Sequence, residues 1–318
     1  MPAGAVRRLF EPVLIGSRRY PSIGFVVLAA AGAFLLALIV TSFWMNGGDN
    51  LAYWIAGNRL VHGQAIYRLG EVAFAPFAYH YPPPLAQILA PITLVVPAVA
   101  YAAIYRGLLL LALWQVAGRS FLPTLALIAF IPVANSLAVE NVEIFMALGI
   151  VFGLRRWPWL FAIGSLIKVS PGLGLVYLAL RRRWRDFVIA ALVGAGITVV
   201  SFLLDPGLWL AALDSISGRG GIVGNSLIPV PYVVRAIAGL VLTVIGGLLG
   251  GRRGELLLVG GITIANPGLS FQGFAVLIAA IPIWKAGPDG LGGAAEAAQR
   301  ERASGRSIEA AGPQPSGG

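Results

Sequence analysis

The chain has 318 residues, of which 58% are hydrophobic and only 11% charged, and its mean hydropathy is +0.84. Soluble domains hold about 45–50% apolar residues, so this composition describes an all-α polytopic membrane protein. The net charge of +10 argues against a nucleic-acid partner, because the cations stand in short clusters between apolar runs. These are Arg7-Arg8, Arg18-Arg19, Arg155-Arg156, Arg181-Arg182-Arg183 with Arg185, and Arg252-Arg253, the distribution of short cytoplasmic loops. With no cysteine in the chain, disulfides, thiolate catalysis and Cys-ligated metals are excluded.

Residues 1–21 read as a basic cytoplasmic N-terminus. The apolar run that follows is long enough to span at about 20 residues, with no clear cleavage signal behind it. It predicts a helix over 22–43 that carries the chain to the outer side. An extracytoplasmic loop, about 44–84, comes next. It holds Asp49, Glu71, both histidines (His62 and His80) and four of the nine tyrosines, Tyr53, Tyr67, Tyr79 and Tyr81. One reading is a solvated loop whose aromatic rings rest at the interface. The other is an active site, with a carboxylate placed just beyond a hydrophobic span where water meets headgroups. Leu51, Trp54, Ile55 and Asn58 fall at helical spacing, and Pro82-Pro83-Pro84 ends any helix before it and starts the next.

Apolar runs follow at 85–96, interrupted at Pro91, at 98–116, and at 122–139, broken at Pro132. With Glu140 facing outward, 141–154 makes a short span of about 21 Å. Arg155-Arg156 and Arg181–Arg183 both read as cytoplasmic, which demands an even number of crossings between them. Two full spans need about 40 residues, and only residues 157–180 are available. Two half-helices therefore meet at Lys168-Val169-Ser170-Pro171-Gly172. Irregular backbone at membrane depth is tolerated where it lines a wet cavity, so Lys168 is expected to face one; the competing role is a lysine snorkelling at a helix end. The run 187–204 returns to the outer side, and 205–231 is a second extracytoplasmic loop with Asp205, Asp214, Arg219, Asn225 and Ser226. The run 232–249 carries Arg235 near its outer end. Runs 256–265 and 271–283 form a hairpin broken at Asn266-Pro267-Gly268. Residues 286–318, rich in Gly, Ala and Pro, read as a disordered cytoplasmic tail, leaving one transmembrane domain over 22–285.

Four segments, in order, resemble glycosyltransferase family 87, the polyprenol-phosphate-sugar-dependent membrane enzymes of the GT-C class. Asp49 with Tyr53, then His62-Gly63 and Tyr67, is similar to the family's D-x-x-x-Y…G-x-x-x-Y loop. Tyr79-His80-Tyr81-Pro82-Pro83 matches its Y-x-YPP. Gly164…Lys168 with Pro171 and Arg181-Arg182-Arg183-Trp184-Arg185 resembles its G-x-x-x-K-x-x-P…RRRWR run, and Gly224-Asn225-Ser226 with Arg235 its GN…S…R. The chain departs from the family at Glu140-Asn141-Val142-Glu143, where the family has GQ-x-N, and at Asn266–Gly273, where it has SP-x-SW followed by histidine. The resemblance implies a GT-C-like bundle of roughly eight to ten transmembrane helices with broken hairpins. It also implies a polyprenyl-phosphate donor carrying a hexose such as mannose, and a lipid or glycan acceptor on the extracytoplasmic side.

The residues fit that chemistry. An acceptor hydroxyl needs a general base, and a carboxylate in a partly dry cleft has its pKa raised toward the task; Asp49 is the candidate, with a helix N-cap as its plain structural role. The leaving lipid phosphate calls for cations, for which Lys168, Arg235 and Arg219 are the candidates, and Tyr53, Tyr79, His80, Tyr81 and Asn225 are candidates for the sugar and acceptor site. No cofactor is expected. The two histidines show no metal-ligand spacing with a carboxylate, and no Gly-rich nucleotide loop follows a strand. Two alternatives stay open: a transporter or flippase whose broken helices line a substrate path, and a degenerate family member acting as a partner protein.

Overall fold

The computed structural model describes residues 12–15, 18–41, 48–67, 78–217, 227 and 229–293. A short antiparallel hairpin, β1 (Val13–Ile15) and β2 (Arg18–Tyr20), sets Val13 opposite Tyr20. All other regular elements among the described residues are helices. The chain opens with α1 (Ile23–Thr41), α2 (Asp49–Val61), α3 (Pro83–Thr93) and α4 (Ala98–Val116). A pair bent by 87° follows, α5 (Phe121–Ile128) and α6 (Ile131–Ala138). Next come α7 (Glu143–Arg155), α8 (Trp159–Ile167), a 3-10 turn at Ser170–Gly172, α9 (Leu173–Leu180), α10 (Trp184–Leu204) and α11 (Pro206–Ser217). The last elements are α12 (Tyr232–Leu249), α13 (Gly251–Ile264), a 3-10 segment at Phe271–Ala279, and α14 (Ala280–Lys285).

Helices α1, α4, α10 and α12 are long and apolar enough to cross a membrane, and α5 with α6 makes a fifth crossing if the bent pair is one span. Their exposed faces stay apolar, with Leu192, Leu204 and Leu248 all more than two-thirds exposed, as a lipid-facing surface requires. This is an all-α polytopic membrane protein. Helix α7 runs through the centre: Ile144, Met146, Ala147, Ile150, Val151 and Leu154 are all buried, and a helix apolar on every side is one enclosed by neighbours.

The break predicted between the two arginine clusters is present. Helices α8 and α9 span only 9 and 8 residues, about 12–14 Å each at 1.5 Å per residue, far short of a hydrocarbon core of about 30 Å. Helix α8 packs on α10, and α9 on α12. The basic clusters at 155–156, 181–185 and 252–253 gather at one end of the bundle, as an even number of crossings requires. Arg183 Nη1 donates to the Leu154 carbonyl at the end of α7 (2.9 Å). Arg181 lies on Gly250, whose φ of +65° and lack of a side chain make room for it, and Arg252 stacks over Trp284 at 4.3 Å.

Three expectations are corrected. Pro91 does not interrupt its helix but lies in the last turn of α3, where few bonds depend on its missing N–H. Residues 206–217, expected to belong to a loop, form α11; Asp205 Oδ1 accepts from the Leu208 N–H (2.9 Å), an N-cap followed by proline at the first helical position. The fold also runs on past 286. The buried Glu255 carboxylate accepts from the N–H groups of Leu291 (2.7 Å) and Gly292 (2.6 Å), tying down residues up to 293.

Candidate active site

The site is built from helix ends. Helix α2 starts at Asp49, whose N–H donates to the Val139 carbonyl at 2.7 Å. Gly48 permits that approach, since a Cβ there would lie 2.7 Å from the same oxygen. The first turn of α2 is thereby fastened to the turn between α6 and α7. In that turn Glu140 adopts φ +53°, a left-handed conformation that costs a non-glycine residue about 1–2 kcal/mol. It is held by an ion pair to Arg106 on α4 and by the Asn141 N–H bonded to the Ser136 carbonyl (2.9 Å).

Asn141 then links two other groups. Its Nδ2 donates to Asp49 Oδ2 at 2.5 Å, and its Oδ1 accepts from Lys168 Nζ at 3.5 Å. Lys168 Nζ also forms an ion pair with Glu143 Oε1, and Asn266 Nδ2 donates to that same oxygen at 2.9 Å. Lys168 reaches this point because α8 stops at the break. Its N–H closes the last turn on the Gly164 carbonyl (2.8 Å), and Pro171 folds back over Gly164 so closely that a Cβ there would meet it at 2.9 Å. Asp49, Asn141, Glu143, Lys168 and Asn266 thus form one polar network inside an apolar protein.

Both acids sit in the first turn of a helix, where free N–H groups and the helix dipole favour negative charge. One ammonium lies between them. Burial pushes the Asp49 carboxyl above its ordinary range; the Asn141 hydrogen bond and the Lys168 charge oppose the shift, and the Glu143 charge adds to it.

Above Asp49, one turn along α2, Tyr53 donates to the Tyr81 hydroxyl at 2.8 Å, the two rings meeting edge to face at 4.8 Å. The Tyr67 hydroxyl donates to the Tyr81 carbonyl (2.7 Å), and Tyr105 of α4 lies 6.1 Å from Tyr53. These rings are packed together rather than spread along an interface. Tyr79 is fully buried, donates to the Pro82 carbonyl (2.8 Å) and accepts from the Ala86 N–H (3.1 Å), so its hydroxyl fastens the entry to α3. His80 is exposed.

Arg235 is buried on α12 with its guanidinium turned to backbone carbonyls: Asn266 (2.6 Å), Pro267 (2.9 Å), Val230 (3.2 Å) and Ile264 (3.4 Å). It shapes the break that presents Asn266 to Glu143. Arg219, Asn225 and Glu71 lie outside the described residues. The structure therefore brings together Asp49, Lys168, Tyr53 and Tyr81, with Tyr79 behind them, and adds Asn141, Glu143 and Asn266, to which the sequence reading gave no role. The signal for these was present: two acids at 140 and 143 inside an apolar stretch are too costly to bury unpaired.

The family model described as glycosyltransferase family 87 matches residues 79–292. The chain belongs to glycosyltransferase family 87. The matched region holds Tyr79, His80, Tyr81, Asn141, Glu143, Lys168, Arg235 and Asn266. Asp49 and Tyr53 precede it and are joined to it through Asn141 and Tyr81. No curated protein and no solved structure matches the chain. As a member of a glycosyltransferase family, this membrane protein works on a sugar donor and an acceptor.

Proposed function

We propose that this glycosyltransferase moves a hexose, mannose in the first instance, from a polyprenyl-phosphate donor to a lipid or glycan hydroxyl on the extracytoplasmic side, with inversion at the anomeric carbon. The observation that carries this reading is the placement of Asp49 and Lys168 on the two ends of one asparagine amide. A base for the acceptor and a cation for the leaving phosphate then share a single buried site.

In this mechanism Asp49 takes the proton as the acceptor oxygen attacks the anomeric carbon from the face opposite the phosphate. The bond from that carbon to the phosphate oxygen breaks with its electron pair, and Lys168 offsets the negative charge that develops. An ammonium has three N–H donors; Glu143 and Asn141 take two, leaving one for a phosphate oxygen. Tyr53 and Tyr81 are proposed to border the sugar, with His80 and Asn225 nearer the acceptor. Arg235 is assigned to positioning the Asn266 turn, and Arg219 stays a candidate phosphate contact. The outward orientation is supported by distance from the basic end: Glu143 and Arg155 stand at opposite ends of α7, roughly 18 Å apart along its axis, and basic ends face the cytoplasm.

The test is Asp49→Asn in membranes supplied with labelled polyprenyl-phospho-mannose. Loss of a general base lowers transfer by about 10²–10⁴-fold, with expression and melting temperature preserved. Unchanged transfer removes Asp49 from the chemistry.

A further inference from the structure

At the basic end of the bundle, remote from the polar network, a cavity of about 360 Å³ opens between the C-terminal ends of α4, α7 and α14. Arg119, Arg155 and Lys285 line it together with Gln115, Val151 and Phe152, and among the described residues no carboxylate does. We propose that this cavity binds the phosphodiester headgroup of an anionic phospholipid.

A cation near a helix C-terminus is ordinarily there to complement the dipole, and each of the three has that local reason. Arg155 and Lys285 end their helices, and Arg119 follows α4 in a left-handed turn, its Nε donating to Gln115 Oε1 at 2.9 Å. The local reason does not explain their convergence on one cavity. Three helix ends carry roughly half a negative charge each, against three full positive charges, so the cavity is left net positive. Among the described residues none of the three forms an ion pair. The guanidinium groups keep donors in the fork geometry that suits phosphate oxygens.

Size and surroundings select the occupant. The volume lies at the lower end of the range of about 300–1,000 Å³ for small-ligand sites, which fits a headgroup. Val151 and Phe152 form apolar walls, suited to a molecule that is anionic at one end and hydrocarbon at the other. Trp157 stacks on Phe152 at 5.0 Å, and Trp284 lies under Arg252; tryptophans with arginines mark the headgroup level of a membrane. Basic pockets between membrane helices at that level are binding sites for anionic headgroups.

The experiment uses the purified full chain in neutral detergent, with added phosphatidylglycerol, phosphatidylcholine or inorganic phosphate. Bound lipid is counted by native mass spectrometry, and the melting temperature is followed in parallel. The expected result is retention of phosphatidylglycerol and a raised melting temperature with that lipid alone. Arg119→Gln, Arg155→Gln and Lys285→Gln together weaken the binding, about fivefold per cation removed, while Arg185→Gln, in another basic cluster, leaves it unchanged. Equal effects of the two lipids, or binding that survives the triple substitution, overturn the proposal; an equal effect of inorganic phosphate makes this a small-anion site and overturns it as well. Should the triple variant fail to fold, a photoreactive phosphatidylglycerol on the unaltered chain decides instead. Crosslinks to peptides containing residues 115–119 and 282–286 support the site, and crosslinks only elsewhere refute it.

Discussion

Replacing Lys168 with methionine separates its ion pair with Glu143 from the role proposed for it at the leaving phosphate. The substitution keeps an unbranched side chain of similar length but removes the ammonium from Glu143, which is 1% exposed and retains only the Asn266 amide on the oxygen that the lysine shared. Removing one partner of a buried ion pair costs about 3–5 kcal/mol. At about 2–4 °C per kcal/mol for domains of roughly this size, the melting temperature in detergent falls by roughly 6–20 °C. Adding Glu143→Gln removes the stranded charge while keeping an acceptor for Asn266, so the double variant recovers most of that loss. Double-mutant coupling between touching residues is about 0.5–3 kcal/mol. On the proposed mechanism sugar transfer measured in membranes behaves differently: it is lost in Lys168→Met and stays lost in the double variant, because no cation then faces the proposed phosphate leaving group. A double variant that transfers sugar at the unaltered rate refutes the phosphate role. A single variant that keeps its melting temperature refutes the buried pair itself.

Three further outcomes follow from the geometry. In the proposed mechanism Asp49 works as a carboxylate base, and burial holds it above its ordinary range; on that mechanism transfer fails as pH falls through that raised value, and a pH–rate profile shows its acid limb above the ordinary aspartate value of about 3.9. The same shift means that the fold binds this proton more tightly than the unfolded chain, so the contribution of Asp49 to stability declines as pH rises from the ordinary value through the raised one. Gly254→Ala places a Cβ 2.2 Å from the Gly246 carbonyl, forcing α12 and α13 apart at a cost of about 1–3 kcal/mol, read as a lower melting temperature. Arg235→Lys keeps the charge but loses the planar fork that reaches the Asn266 and Pro267 carbonyls. It costs about 1.5–3 kcal/mol and lowers kcat through the displaced Asn266, while donor KM is unchanged; a rise in KM alone points instead to direct phosphate contact.

Much of the architecture was legible along the chain. The apolar runs at 98–116, 187–204 and 232–249 fall within the helices observed. The arithmetic of too few residues between two arginine clusters led to the break at Lys168, because positive-inside parity and membrane thickness are constraints on the sequence itself. Helix α11 was legible too, since Asp205-Pro206 is a helix start, but its position in an expected outer loop hid it. In the candidate site, Asp49, Tyr53 and Tyr81 stood out through the charge and aromatic content of one segment together with the family resemblance, and Lys168 through the break between the arginine clusters. Arg235 shows the limit of such reasoning: an arginine near a span end reads as a phosphate ligand, and nothing along the chain announces the four backbone carbonyls that surround it.

Composition, run lengths and the spacing of basic clusters determined that this protein is a helical membrane bundle with a fractured hairpin, because each rests on the cost of placing a given residue in hydrocarbon. Tertiary structure alone decided how the buried charges are compensated. Asp49 meets Asn141 across 92 positions, and Glu143 meets Asn266 across 123. Pairing at such separations depends on where helix ends meet in space, and no local pattern encodes that.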